Sequence, residues 1–132
     1  MEILHPPGWP RASGFSHGVS AAGRIICVAG QVGWDENQQF QSHEFADQVF
    51  YALRNTVTVL AEGGARPEHI VRMTWYVTDK QEYLAQLKEV GQTYREVLGR
   101  VYPAMALFEV SGLVEDAAKV EIETTAVVPD GK

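Results

Sequence analysis

A chain of 132 residues with 45% hydrophobic and 21% charged side chains has the size and composition of one globular domain, not of a disordered segment. Its 17 acidic and 11 basic side chains leave a formal charge of -6, and with no basic cluster this argues against a binder of nucleic-acid backbones. No apolar run approaches the ~18 residues of a membrane span. Residues 1–7 show neither a basic n-region nor a long apolar h-region, so a reduced, cytoplasmic setting is expected.

In chain order, residues 1–13 are expected to be irregular, since Pro6, Pro7, Gly8 and Pro10 disfavour helix and sheet, with Trp9 anchoring the segment by its ring. A short strand is predicted over residues 16–22. After the Ala22-Gly23 turn comes a stronger one over residues 24–32, whose apolar run suggests burial on both faces. Cys27 lies in that run, where a single thiol cannot make an internal disulfide and reads as a small buried hydrophobe, not a nucleophile. Gly30 and Gly33 interrupt the pattern where the backbone bends or something approaches closely.

Ser42 is a plausible N-cap, followed by Glu44 and Asp47 at the positive end of a helix. Phe45, Val49, Ala52, Leu53, Thr56, Val57 and Leu60 then recur at spacings of three and four. That is one apolar face on a helix of about five turns, stopped by Gly63-Gly64. Residues 70–78 are rich in β-branched and aromatic side chains and form the third main strand. Asp79 with Glu82 resembles a capping box, and Leu84, Leu87, Gly91, Tyr94 and Leu98 mark a second amphipathic helix ended by Gly99. Residues 102–110 and 119–124 read as a closing strand pair.

The order β-β-α-β-α-β-β makes one α+β domain, a mixed sheet with two helices on one face. No third helix is available for the other face, so a homo-oligomer packing sheet against sheet is expected. His5, His17, His43 and His69 have no metal-ligand spacing, and no phosphate loop, HExxH or CxxC motif occurs. No cofactor is implied. Glu121 and Glu123 share one face of the last strand, opposite Val120, Ile122 and Thr124. They are either a solvated pair or, if a neighbouring subunit covers that face, partly buried carboxylates able to act as a base or proton shuttle.

The segments Gly14-Phe15-Ser16-His17-Gly18-Val19, Val28-Ala29-Gly30-Gln31-Val32, Glu62-Gly63-Gly64-Ala65, Val77-Thr78-Asp79, Tyr102-Pro103-Ala104 and Val120-Glu121-Ile122-Glu123 resemble the RidA (YjgF-type) imine deaminase family over residues 14–128. The resemblance implies a chorismate-mutase-like fold and a homotrimer with pockets between subunits. It implies hydrolysis of a short 2-imino acid to a 2-keto acid, with an arginine after Pro-Ala gripping the carboxylate and a last-strand glutamate moving protons.

Carried over residue by residue, Glu121 matches the glutamate, Gly30 the pocket glycine and Leu107 a backbone-contributing position, while Met105 replaces the arginine, Phe15 the pocket tyrosine and His17 a common glutamine. Methionine offers no donor, and a buried carboxylate beside it would be left unpaired. Binding of 2-iminopropanoate in the family's pose is therefore expected to be poor. Phe15, Met105, Leu107 and Trp75 suit an apolar or aromatic ligand, or else pack a subunit interface. The two functional expectations are a RidA-like hydrolase of an imine or enamine that lacks the usual carboxylate, with Glu121 as proton shuttle, and a non-catalytic ligand-binding or regulatory trimer. Nucleic acid and membrane are not expected partners.

Overall fold

The fold was analysed in a computed structural model that describes residues 1–130. Two short strands, β1 (Glu2–Leu4) and β2 (Gly18–Ser20), form an antiparallel ribbon. The main sheet contains β3 (Arg24–Val32), β4 (Ile70–Val77), β5 (Ala104–Glu109) and β6 (Val120–Val128) in the order β3-β6-β4-β5. β6 runs antiparallel to both of its neighbours, and β4 and β5 are parallel, which makes the sheet mixed. The helices are α1 (Phe45–Glu62), α2 (Lys80–Ala85) and α3 (Leu87–Leu98), and a 3-10 turn, Pro67–His69, precedes β4. Among the described residues no helix is long and apolar enough to cross a membrane.

The apolar spacing read in α1 is the buried face that the structure shows. Phe45, Val49, Ala52, Leu53, Thr56 and Leu60 all pack inward against β3, β6 and α3. Gln48 belongs to that face too. Its Nε2 donates to Ser42 O (3.1 Å) and Ala117 O (3.0 Å), and its Oε1 accepts from Lys119 N–H (2.8 Å), so a buried amide is satisfied by tying two loops to the helix. Ser42 Oγ accepts from Glu44 N–H and donates to Asp47, two residues earlier than the cap position that Glu44 takes. Gly64 ends the helix at a φ of 76°, which a side chain would resist.

Four expectations are corrected. Residues 1–13 are not wholly irregular, because Glu2–Leu4 pairs with β2, and that ribbon lies outside the main sheet. Trp9 is more than half exposed and anchors nothing in the core. The closing strands do not pair with each other: β4 lies between β5 and β6, parallel to β5 across a helical crossover and antiparallel to β6. β3 is an edge strand whose Ile25 and Cys27 are exposed, so the thiol is not buried.

That last correction follows from layering. Side chains alternate across the sheet, and only one face meets the helices, where Met73, Trp75, Val77, Val120, Ile122 and Ala126 are buried. The opposite face carries Ile25, Cys27, Tyr76, Phe108, Glu121 and Glu123, all half-buried or exposed in the single chain. The second helix expected over residues 84–98 is broken at Gln86, whose Oε1 accepts from Ala46 N–H (3.1 Å) in the first turn of α1. Asp79 caps α2 through Gln81 N–H, whereas Glu82 turns instead to Lys119 Nζ (2.7 Å) and closes no capping box.

Candidate functional site

Glu121 stands on the open face of the sheet, opposite Val32 of β3 and Tyr76 of β4. β3 bulges here. Val28 pairs with Thr124 and Gln31 with Ile122, leaving Ala29 and Gly30 without Cα partners, and Gln31 Nε2 braces the bulge by donating to Ala29 O. The bulge brings the Gly30 Cα against the Glu121 side chain so closely that any Cβ there would collide with the carboxylate. Glu121 is half-buried and, among the described residues, forms no hydrogen bond or ion pair. Both oxygens are therefore available to water or a ligand. Its neighbour Glu123 is already engaged, since Tyr76 Oη donates to it at 2.8 Å. That bond holds the Tyr76 phenol above its ordinary pKa.

Met105 and Leu107 lie in register with Met73 and Trp75, and therefore on the helix-facing side of the sheet. With Phe15, Trp75, Tyr94 and Tyr102 they wall a cavity of about 450 Å3 between β5, α2, α3 and the loop through Gly14. The loop is fixed by Ser16, whose N–H donates to Pro103 O and whose hydroxyl donates to Tyr102 O. This explains why Phe15 reaches a strand some 90 residues away in the chain. Tyr94 and Tyr102 stack with centroids 6.0 Å apart, and Tyr94 Oη donates to Val101 O. Burial, with a smaller effect of Tyr102, pushes the Tyr94 phenol well above its ordinary value. The Trp75 indole N–H is buried and has no hydrogen-bond partner among the described residues.

The site residues read from the sequence thus fall into two groups on opposite faces of one protomer's sheet. Glu121 and Gly30 form one, and Phe15, Met105 and Leu107 the other. His17 joins neither as a polar ligand-facing group. It is exposed within an aromatic cluster, 5.1 Å from the Trp9 ring, 5.3 Å from Phe15 and 5.6 Å from His5. Sequence reading missed the α2–α3 wall, above all Gly91 and Arg95. Their spacing of four on one helix face was the available signal, but only Gly91 was read, as part of an amphipathic face, and Arg95 was not considered.

Residues 9–128 match the family profile described as Endoribonuclease L-PSP. A RutC family protein of Aquifex aeolicus is 30% identical over 126 residues, covering 96% of this chain and 98% of its own. A structure of the conserved Rid protein family member YyfB from Yersinia pestis superposes with a TM-score of 0.85 at 29% identity, covering 96% of this chain and 98% of that one. The Escherichia coli protein TdcF, which carries the name of a reactive intermediate deaminase, is 26% identical over 105 residues, 80% of each chain. Its crystal structure with bound serine superposes with a TM-score of 0.70, over 97% of this chain and 98% of that one.

Proposed function

The chain belongs to the RidA/YjgF-type family matched by the Endoribonuclease L-PSP profile, and from that premise we propose that it hydrolyses a reactive imine or enamine to a carbonyl compound and ammonia. The site is shared in a homotrimer: Glu121 and Gly30 of one protomer face the Phe15, Met105 and Leu107 pocket of the next. The single observation that carries this reading is Glu121, an uncommitted half-buried carboxylate held against a bulged glycine on a sheet face that no helix covers.

In the reaction, water adds across the C=N bond. Glu121 takes a proton from the water as the C–O bond forms, and passes a proton to the nitrogen. The hydroxyl proton of the resulting amino alcohol passes through Glu121 to the nitrogen as C=O forms, the C–N bond breaks, and ammonia leaves. The serine bound in TdcF is in keeping with small amino-acid-like ligands in this family. Here Met105 gives a carboxylate beside the imine carbon no donor, so the substrate is larger and more apolar than 2-iminopropanoate. The -6 charge makes the nuclease in the profile's description a poor reading of this chain.

The test is ammonia release from imines generated in situ, comparing short and bulky aromatic members. Turnover of the bulky members that Glu121→Gln lowers at least about 100-fold is expected. Unchanged release by Glu121→Gln would refute the assignment. Ligand binding with no turnover of any imine by the native protein would favour instead a binding trimer, the reading that the missing arginine supports.

A further inference from the structure

The Phe15–Met105 cavity has no donor on its β5 wall, yet its helix wall carries one. Among the described residues Arg95 is the sole charged one lining it, and no carboxylate faces it there. The three ion pairs among the described residues engage Arg54, Arg66 and Lys119, so Arg95 is left without an acidic partner. One turn earlier on the same face stands Gly91, and a Cβ built on it would lie 3.3 Å from Arg95 Nη1. Side chains on a helix lean toward its N-terminus, so the guanidinium lies across the bare turn that Gly91 provides and at the cavity margin. A guanidinium beside an aromatic cavity, with no carboxylate in the lining, is available to an anionic group on a ligand seated there.

We propose that Arg95 makes this cavity a site for an aromatic or bulky apolar carboxylate, whose ring occupies the space between Phe15, Trp75 and Met105 while the carboxylate reaches the guanidinium on α3. The inference rests on reading this pocket as the substrate site, and it names the substrate class. The carboxylate is held on the helix wall, not at position 105, and the apolar body spans the interval. A volume of about 450 Å3 accommodates such a molecule and is far larger than a three-carbon imino acid needs. Arginine suits the task because its planar fork takes both carboxylate oxygens.

The test is calorimetric binding to the assembled native protein of 3-phenylpropanoate and of its uncharged amide, 3-phenylpropanamide. The carboxylate binds about tenfold more tightly, and the preference shrinks as salt is raised. Arg95→Gln, an exposed position whose exchange spares the core, reduces the preference to about twofold or less, and Arg95→Lys keeps part of it. Arg66→Gln, a surface cation that does not line the cavity, keeps all of it. Equal binding of the two compounds by the native protein, binding of neither, or an undiminished preference in Arg95→Gln would overturn the proposal. Because the readout is binding, an anion preference in a protein without turnover would defeat the catalytic reading and leave this one standing.

Discussion

Replacing Gly30 by alanine separates the site from the fold. A Cβ at Gly30 would stand 2.8 Å from the Glu121 carboxyl carbon and 2.9 Å from its Cγ, against ordinary contacts of 3.4–4 Å. The nearest obstructing atom is Glu121 Oε2, and the contacts run back along the side chain to Cγ, so the collision is relieved by moving the whole flexible, half-buried Glu121 side chain out of its present rotamer. An off-rotamer side chain costs on the order of 0.5–1.5 kcal/mol, and the backbone need not move. A misplacement of ~1 Å in a reacting group can lower a rate about 100-fold. Gly30→Ala is therefore expected to keep a native thermal melt, within a few degrees, while losing about two orders of magnitude in ammonia release from a bulky imine. Parallel melts and ammonia assays on one preparation make the comparison. Full activity in a folded Gly30→Ala protein would refute the claim that this carboxylate, in this position, moves the protons.

Two further perturbations address the pocket. Met105→Arg restores a bidentate donor on β5, and is expected to raise kcat/KM for 2-iminopropanoate by about tenfold or more, since a hydrogen bond to a charged group is worth roughly 1.5–3 kcal/mol; an unchanged value would show that position 105 does not face the substrate. Tyr94→Phe tests the buried phenol through pH. Because burial raises the folded pKa above the ordinary phenol value of about 10, the stabilising contribution is fully present below that pH and is lost as pH rises above it, when the unfolded chain releases a proton that the fold retains. Urea titrations at pH 8 and pH 11 should show a smaller alkaline loss of stability in Tyr94→Phe than in the native protein, and an equal loss would contradict that burial.

The α+β order was legible because local signals set it. The three- and four-residue spacing of Phe45 to Leu60 has one helical solution, and the alternation along β6 separates Glu121 and Glu123 from Val120 and Ile122. Which strand lies beside which was not local. Residues 102–110 and 119–124 are neighbours in the chain, yet β4 intervenes, and nothing in their side chains records that partner. Cys27 shows a second limit. An apolar run reads the same whether the body of its own chain covers it or its own fold leaves it bare, and Ile25 and Cys27 lie on the bare face. The uncovered face could be deduced by counting helices, and the missing arginine at Met105 by comparison with the family pattern. The break at Gln86 rests on one long-range hydrogen bond to Ala46, and the Gly91–Arg95 wall needed three-dimensional placement against β5 before its charge had meaning.

The shared site is tested most directly by subunit complementation. Glu121→Gln removes the proton shuttle, and Leu107→Trp fills the pocket; each homotrimer alone is expected to be nearly inactive. In a closed ring of three, any mixed trimer contains one interface that joins an intact Glu121 to an intact pocket. Random mixing at equal ratio therefore regenerates roughly one quarter of the native sites. Recovery of about that fraction of native ammonia release in the co-expressed protein is the predicted result. Activity no greater than the sum of the two parents, in preparations that sediment as trimers, would contradict a site built from Glu121 of one protomer and Met105 of its neighbour.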